Sequence, residues 1–285
     1  MNRGKWDARI HRATELASVY PFASEGLRFY TRIANFQRSL RPEIGPALTN
    51  SPTLSSARPL RDELSAFLLL TNFPGFLSVI QQNAPVPLAR AAAALAQKGP
   101  SGWQQAIEDF CGGDSQFAAP VNDPGEVRSG DSQQASSFDQ FLAWIYLQPY
   151  AEYLAERWEP IVVERTPVTC PLCGARPIVG VLRPEGDGAK KSLICMLCGH
   201  EWLFRRVYCP ACGEQREPQM AFYSAPEIPH VRVDVCDTCH SYLKSIDLTK
   251  MGLAVPIVDE LATIPLDLWA REHGYEKLQT NLLGT

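Results

Sequence analysis

The stretch CPLCG at residues 170–174 occurs again, as CPACG, at residues 209–213. Each copy is followed by a further C-x-x-C pair, CMLC at 195–198 and CDTC at 236–239. The paired motifs are separated by 21 and 23 residues, and 10 residues separate the two halves. This regularity indicates a duplicated hairpin unit in which two cysteine pairs meet, and it decides the fold of the C-terminal half.

Cysteine pairs at these intervals are typical of metal-binding ribbons. Two residues between cysteines allow the chain to turn back so that both sulfurs face one ion, and a further pair completes a tetrahedral site. Proline after the first cysteine and glycine after the second favour that turn, because glycine tolerates a positive φ. Since a small ribbon buries little apolar surface, the metal supplies part of its folding free energy. The predicted ligands are Cys170, Cys173, Cys195, Cys198, Cys209, Cys212, Cys236 and Cys239.

The spacing leaves two questions open. The repeat favours sequential pairing, in which the first two C-x-x-C pairs form one site and the last two form another, and interleaved pairing is the alternative. Four thiolates suit either zinc or a single iron, and zinc is the default from spacing alone. Because four protein ligands leave no open coordination position, a catalytic Lewis-acid role is not expected.

Composition is that of an ordinary globular protein. The chain has 285 residues, of which 45% are hydrophobic and 20% charged, and its formal net charge is −4. An acidic balance argues against a dedicated nucleic-acid-binding protein, because phosphate neutralisation needs a basic excess. No apolar run reaches the roughly 18 residues of a membrane helix, and the polar N-terminus does not resemble a secretory signal. We therefore expect a cytoplasmic protein without membrane insertion, where disulfides are disfavoured.

Residues 1–160 are predicted to form an all-α domain, because apolar residues recur at helical spacing and alanine is abundant. The Gly-, Ser- and Pro-rich stretch 112–137 is interpreted as a long loop. The predicted helical segments are Leu64–Ile80 with a break near Pro74, 88–97, Trp103–Phe110, and Phe138–Trp158 with a kink at Pro149.

The C-terminal half is predicted to contain two tandem zinc-ribbon-like β modules, 161–206 and 207–250, and a helical tail, 251–285, broken at Pro265. The fold class is therefore α+β. Residues 186–188 (GDG) indicate a turn inside the first ribbon. The β-rich segments are Ile161–Val163, Pro177–Leu182, Trp202–Phe204 and Val231–Val235.

A few further residues have reactive side chains but no clear partner in the sequence. Cys111, the ninth cysteine, is expected to be a buried small hydrophobe. His200 and His240 each follow a cysteine pair closely, but every pair already supplies two sulfurs, so neither is expected to be a ligand. His230 has no evident partner. The aromatic helix around Trp144 is expected to lie in the core, with a groove for a partner segment as the alternative.

Other classes of protein were weighed against these motifs. A double zinc ribbon that binds nucleic acid is the alternative function, although the clusters Lys190-Lys191 and Arg205-Arg206 are interpreted as solvated charges at hairpin tips. A redox C-x-x-C usually begins a helix in a βαβ unit, whereas these pairs lie in a β context. The C-x-x-C-x-G-x-G repeat of DnaJ-type domains is absent. No phosphate-binding, dinucleotide-binding or nucleophile-elbow motif occurs, so no enzymatic activity is predicted.

The doubled CPxCG ribbon behind a helical half resembles the family of the formate dehydrogenase accessory protein FdhE. The resemblance covers nearly the whole chain, and residues 261–270 (LATIPLDLWA) are similar to the family's C-terminal segment. All eight cysteines of the family pattern have counterparts, from Cys170 to Cys239. The resemblance implies a rubredoxin-like C-terminal half with two metal ions, each bound by four cysteines, and it favours iron over zinc.

The resemblance also implies a function. Members of the family are cytoplasmic maturation factors that act on the catalytic subunit of formate dehydrogenase, a molybdenum- or tungsten-containing subunit that bears selenocysteine. We therefore expect a non-enzymatic protein that binds this subunit, before export where the enzyme is exported. On this hypothesis the ribbons serve as a rigid and redox-responsive platform for the partner.

Overall fold

The chain is helical up to residue 155 and is built on a β-sheet from residue 177 onward. The computed structural model describes residues 3–49, 60–66, 70–113, 131–157 and 167–284. The helices of the N-terminal half are α1 (Arg3–Val19), α2 (Ser24–Thr49), α3 (Leu60–Ala66), α4 (Phe73–Asn83), α5 (Val86–Gln97), α6 (Gly99–Gly112) and α7 (Asp131–Ala155). The C-terminal half contains β1 (Pro177–Glu185), β2 (Gly188–Cys195), β3 (Glu201–Leu203), β4 (Met220–Ser224), β5 (Val231–Cys236), β6 (Ser241–Asp247), α8 (Pro256–Ala262), α9 (Ile264–Glu272) and β7 (Glu276–Lys277).

Prolines mark the starts of three consecutive helices. Pro74, Pro87 and Pro100 each lie in the first two positions of α4, α5 and α6. Proline is favoured there because its fixed φ suits the helix and its missing N–H would have no partner within the helix. The break that the sequence indicates near Pro74 is therefore the beginning of a new helix.

The predicted loop 112–137 is wrong in its second part. Helix α7 begins at Asp131, so the residues up to Ser137 are helical. No glycine or proline interrupts them, and the helix that follows can extend backward through them. Residues 114–130 of that predicted loop lie outside the described residues. Pro149 lies inside α7 and does not end it.

Helix α7 forms the centre of the helical half, where it packs against α2, α3, α5 and α6. The ring of Tyr146 lies 4.7 Å from that of Phe73 and 5.5 Å from that of Phe76. The indole of Trp144 is also buried. Aromatic pairs at these distances add to the hydrophobic gain from burial. The aromatic face of α7 is thus core, as the sequence predicts.

In the described part of the chain the strands form one sheet of seven strands in the order β3-β2-β1-β6-β5-β4, with β7 beside β6. Within each ribbon neighbouring strands are antiparallel, whereas β1 and β6 pair in parallel, with Gly180–Leu182 opposite Ser245–Asp247. We call β1–β3 the first ribbon and β4–β6 the second ribbon. The two predicted modules are therefore joined edge to edge, and the parallel pair between them is the seam of the sheet.

A glycine makes the seam possible. A Cβ atom at Gly180 would lie 2.1 Å from Ser245 Oγ on the neighbouring strand, which is far inside van der Waals contact. Residues Pro177–Leu182 of β1 are buried without alternation, as expected for a strand that is covered on both faces. The seam thus lies at the centre of the molecule.

The C-terminal tail is not wholly helical. The break between α8 and α9 falls at Thr263, and Pro265 lies in the first turn of α9. Beyond α9 the chain forms β7, which pairs in parallel with Ser241–Tyr242. Glu276 N–H donates to His240 O at 2.7 Å and Leu278 N–H donates to Tyr242 O at 2.9 Å, and the buried ammonium of Lys277 between them lies 3.0 Å from Asp267.

Helix α8 joins the two halves, because it contacts α1, α2, β1 and β6. Its Asp259 accepts hydrogen bonds from Arg12 Nε at 3.0 Å and Arg12 Nη2 at 2.6 Å, and lies 3.0 Å from His230 Nε2. One apolar core extends from Trp6 in α1 to Val231 in β5. The predicted strand Ile161–Val163 and the domain boundary at 160 lie outside the described residues.

No helix in the described part of the chain combines the length and apolar character required to cross a membrane.

Candidate metal centres

The eight ribbon cysteines converge in two groups of four. Their sulfur atoms lie within 4.8 Å of one another in each group. The first cluster comprises Cys170, Cys173, Cys195 and Cys198. The second cluster comprises Cys209, Cys212, Cys236 and Cys239. The grouping is sequential, as the repeat favours, and the interleaved alternative is wrong.

The sulfur–sulfur distances suit a tetrahedral ion. In the first cluster Cys173 Sγ lies 3.3 Å from Cys195 Sγ and 3.6 Å from Cys198 Sγ. In the second cluster the Cys209–Cys239 and Cys212–Cys236 pairs are each separated by 3.7 Å. A tetrahedron with metal–sulfur bonds of about 2.3 Å has edges of roughly 3.8 Å. The cysteines are free thiols rather than disulfides.

Each opening pair is folded by the same backbone turn. Cys170 N–H donates to Ala175 O at 2.8 Å, and Cys209 N–H donates to Glu214 O at 2.8 Å. The residue after the second cysteine has a positive φ in all four pairs: 74° at Gly174, 62° at Gly199, 77° at Gly213 and 54° at His240. The predicted need for glycine after the opening pairs is therefore confirmed, and His240 is the non-glycine exception.

Backbone N–H groups in these turns point at sulfur. Leu197 N–H donates to Cys195 Sγ and Ala211 N–H donates to Cys209 Sγ, each at 3.4 Å. Such donors stabilise a thiolate over a thiol, because hydrogen bonding to the charged form lowers the pKa. The turns therefore bring the sulfur atoms together and also stabilise them in the thiolate form.

The thiols of one cluster influence one another strongly. Hydrogen bonding to Cys173, Cys195 and Cys198 holds the pKa of Cys170 well below its usual range, whereas burial raises the pKa of Cys195. Burial also raises the pKa of Cys209, while hydrogen bonds from Ser241 overcome burial and lower that of Cys239 to about 7. Four sulfurs this close cannot all ionise alone, because like charges disfavour each other. A soft cation supplies the missing charge, so this donor set fits zinc or iron.

The two clusters differ in exposure. All four sulfur residues of the first cluster are buried, each with at most 2% of its surface exposed. In the second cluster Cys209 and Cys236 are buried, but Cys212 is exposed and Cys239 is intermediate.

The remaining candidates lie outside the clusters. Cys111 is buried at the end of α6, and burial raises its pKa to about 12. The rings of His200 and Trp202 stack with centroids 6.4 Å apart, and the His240 ring lies 6.1 Å from that of Tyr275. Neither histidine belongs to either sulfur group. His230, which has no evident partner in the sequence, is buried beside Asp259.

The prediction that Lys191 is a solvated charge is wrong. Lys191 is not a solvated charge at a hairpin tip, because its side chain is 2% exposed and its ammonium lies 2.8 Å from Asp234 Oδ2. Its neighbour Lys190 does lie near the tip and pairs with Glu185. The alternation of side chains along β2 separates the two lysines.

Sequence reasoning also missed the residues that surround each cluster. Leu172, Met196 and Leu197, which lie between the cysteines of the first cluster, are apolar and buried. The corresponding positions Asp237 and Thr238 of the second cluster are polar and exposed. The polarity of the two residues inside each closing C-x-x-C was the signal that could have distinguished a covered centre from an open one.

A helical domain beside a double ribbon with two four-cysteine clusters defines a class of cysteine-ribbon protein. Residues 169–206 match the family model described as the FdhE central domain, and residues 207–283 match the FdhE C-terminal domain. Residues 169–283 are therefore similar to the FdhE family, so the resemblance and the α+β fold class that the sequence indicates are both confirmed.

Relatives in other organisms agree with this assignment. A protein from Aquifex aeolicus named as an FdhE homologue is 34% identical over 147 residues, which are 51% of this chain and 52% of that protein. A homologue from Shewanella oneidensis is 29% identical over 164 residues, 55% of this chain and 53% of the relative. The chain thus spans about half the length of the curated relatives it matches.

A solved structure shares the fold over almost the whole chain. The crystal structure of the FdhE protein from Pseudomonas aeruginosa has a TM-score of 0.66 and 21% sequence identity, with 99% of this chain and 96% of that chain covered. The shared fold therefore extends to the helical half, although the family models match only residues 169–283.

Proposed function

We propose that this protein is a cytoplasmic accessory factor that binds the catalytic subunit of formate dehydrogenase and is needed for the assembly of active enzyme. One observation carries the proposal. The region that matches the FdhE domains, residues 169–283, contains both four-cysteine clusters with every ligand position filled.

Each cluster is proposed to hold one metal ion, with iron favoured by the family resemblance and zinc as the alternative. When bound, the ion would offset much of the negative charge of the four thiolates and hold the two cysteine pairs of each ribbon together. Other groups of this chain stabilise the thiolates and hold the two centres in place. The N–H groups of Leu197 and Ala211 stabilise charge on Cys195 and Cys209, and the seam between β1 and β6 keeps the two centres in one rigid sheet.

An accessory role is favoured over catalysis by the surroundings of the reactive groups. In the described part of the chain, His230 and Asp259 form a histidine–carboxylate pair with side chains only 3% and 1% exposed. The pair is closed off by Arg12, which binds the same carboxylate. Cys111 is buried and its pKa is raised, so its thiol is a poor nucleophile at neutral pH. These groups support packing between the two halves of the molecule.

The alternative function, binding of nucleic acid, loses support from the ribbon charges. Lys191 is neutralised by Asp234 in the interior, and Lys190 is paired with Glu185. Arg205 and Arg206 remain exposed on the chain after β3. Two arginines on an acidic protein are a weak basis for phosphate binding, which grows with the number of contacts.

The proposal can be tested in a strain that lacks the gene for this protein. We expect formate dehydrogenase activity to be lost and to be restored by the intact chain. Cys111→Ala is the matched control, because it removes a cysteine outside both clusters, and it should restore activity fully. The double substitution Cys170→Ser and Cys173→Ser should not restore activity, because half of the first ligand set is absent.

A binding measurement with purified components complements the genetic test. The intact chain, analysed for metal, is mixed with the purified catalytic subunit and passed over a sizing column. Co-elution supports the proposal. Activity that persists without the gene, together with no co-elution, would argue against it, and a salt-dependent shift of generic DNA or RNA would favour the alternative.

A further inference from the structure

The two clusters are equivalent in sequence but occupy opposite environments. The first is enclosed between the helical half and the sheet, and its cysteines are all buried. The second lies at the surface, with Cys212 exposed and Cys239 partly exposed. A duplicated site that is covered in one copy and open in the other indicates a division of roles.

Helices of the N-terminal half hold the turns of the first cluster directly. Leu60 N–H, at the start of α3, donates to Leu172 O at 2.9 Å. From α7, Trp144 Nε1–H donates to Met196 O at 3.1 Å and Gln148 Nε2–H donates to the same oxygen at 3.0 Å. Both cysteine pairs of the first cluster are therefore tied to helices through the residues between their cysteines.

A third contact closes the first cluster further. The position of a Cβ atom at Gly199, directly after Cys198, lies 3.1 Å from Glu152 Oε1 and 3.1 Å from Lys5 Nζ. Glu152 is itself held by Arg9 at 2.8 Å in the interior. Access to this cluster therefore requires that α1 and α7 move away from the sheet.

The second cluster is bordered by polar contacts on the side where Cys212 is exposed. Thr238 Oγ1–H donates to Glu214 Oε2 at 2.8 Å, and Tyr275 Oη–H donates to Asp237 Oδ1 at 2.6 Å. Ala211 is also exposed. These contacts brace the turns along their outer side. Helix α9 reaches β4 through Trp269, whose ring centroid lies 4.6 Å from that of Tyr223, but Cys212, Asp237 and Thr238 remain exposed.

We propose that the second cluster is the accessible and exchangeable metal centre, with Cys212 as the first ligand to be released, whereas the first cluster is a closed structural centre that fastens the helical half to the sheet. This inference rests on the proposed metal binding, and it does not depend on the dehydrogenase partner.

The physical basis is the difference in local opening. A chelating ligand in solution can replace Cys212 without movement of the fold, and the released sulfur takes up a proton with no change of oxidation state. Replacement of any ligand in the first cluster requires that the contacts to Leu172 and Met196 break first, and regions with many buried contacts open rarely. The two ions should therefore leave at very different rates.

The experiment uses the full chain loaded with zinc, with metal content measured before the chase. Excess chelator is added, and zinc release is followed in time while portions are alkylated and mapped by mass spectrometry. We expect one ion per chain to leave at least about tenfold faster than the other, because only one centre needs local opening. Cys212 and Cys239 should be the first cysteines alkylated.

Three variants show which cluster gives the fast phase of zinc release and which gives the slow phase. Cys212→Ser should lose the fast phase and retain an ion that leaves slowly, whereas Cys198→Ser should retain an ion that leaves fast. The pair Trp144→Phe with Gln148→Leu removes both side-chain donors to Met196 O, and it should accelerate the slow phase several-fold while the fast phase is unchanged. That pair leaves every ligand in place, so it tests the cover even if Cys198→Ser does not fold.

The outcomes distinguish failure of the division of roles from failure of the proposed metal binding and of the proposed partner. If both ions leave at the same rate, the division of roles is overturned and the proposed metal binding stays intact. The same holds if the cysteines of the first cluster are alkylated before Cys212 and Cys239. A chain that takes up no metal overturns both. Loss of formate dehydrogenase binding with biphasic zinc release preserved contradicts only the proposed partner.

Discussion

The ammonium of Lys191 in the first ribbon donates a hydrogen bond of 2.8 Å to Asp234 Oδ2 in the second ribbon. Ser245 Oγ–H and Arg232 Nε complete the surroundings of the same carboxylate, at 2.6 Å and 2.8 Å. Burial alone would raise the pKa of Asp234, but the neighbouring Lys191 and Arg232 lower it below its ordinary value. This contact gives the seam a specific electrostatic link in addition to its backbone hydrogen bonds.

The first prediction concerns that link. Lys191→Met should lower the free energy of unfolding by about 3 kcal/mol, because it leaves a buried carboxylate without one of its cations. Lys190→Met is the matched control, since its exposed pair with Glu185 should contribute less than about 0.5 kcal/mol. Urea unfolding followed by circular dichroism measures both, and equal effects of the two substitutions would contradict a buried link at the seam.

The second prediction concerns the close approach of β1 and β6. Gly180→Ala should destabilise the protein by about 1–3 kcal/mol, because the new methyl group overlaps Ser245 Oγ. In a Ser245→Gly background the same alanine should cost much less, since the nearest remaining atom is the Cα of residue 245, at 3.6 Å.

Gly188→Ala serves as the control glycine for this test. Its added Cβ would meet nothing nearer than Glu185 O at 3.9 Å, so little change is expected. Thermal unfolding is measured for the original chain, Gly180→Ala, Ser245→Gly and the double variant, with Gly188→Ala as the control. The four values give the coupling free energy between positions 180 and 245. Strict additivity of Gly180→Ala and Ser245→Gly would mean that the seam does not have the described packing.

The third prediction uses the positive φ angles after the cysteine pairs. At Gly174, where φ is 74° and no atom lies within 4 Å of the added Cβ, alanine should cost about 1–2 kcal/mol for conformational reasons alone. The reciprocal change His240→Gly, at φ 54°, should be neutral or stabilising by up to about 1 kcal/mol. Calorimetry on metal-loaded protein measures the two shifts, and shifts of the same sign would disagree with a shared turn.

The fourth prediction concerns acid stability. Burial raises the pKa of Asp259, but hydrogen bonds from His230 and Arg12 overcome it and lower the pKa below its ordinary value. The stabilisation from this carboxylate is therefore complete above the unfolded-state pKa of about 3.9 and is lost as the pH falls through the lower folded-state pKa. Asp259→Asn should cost about 3–5 kcal/mol at neutral pH, because Arg12 loses its buried partner.

The difference between this variant and the original chain should shrink as the pH falls below about 4. Asp7→Asn is the control, because its pair with Arg38 is exposed and should contribute less than about 0.5 kcal/mol. Urea titrations of all three proteins at several pH values measure the effect, and metal loss common to all of them cancels in the differences. A pH-independent difference for Asp259→Asn would rule out the carboxylate as the source.

Several features were predictable because they are local. The hairpins, the turn at Gly186–Gly188 and the helix starts at proline follow from residues close in the chain. The helical segment Asp131–Ser137 was mistaken for a loop because its polar composition gives no apolar period, although nothing in it breaks a helix. Lys191 was mistaken for a solvated residue because its burial depends on the second ribbon, where its partner Asp234 lies on β5 across the seam.

The sequence by itself determined the four C-x-x-C turns and the helical and ribbon halves, and it favoured the sequential grouping of the eight cysteines, because a C-x-x-C turn and a hairpin are set by residues a few positions apart. Only the tertiary structure decided which cluster is covered and how the ribbons join. The contact of Trp144 with Met196 spans 52 positions, and that of Arg12 with Asp259 spans 247. Such contacts depend on how whole elements pack, and local sequence patterns carry no record of them.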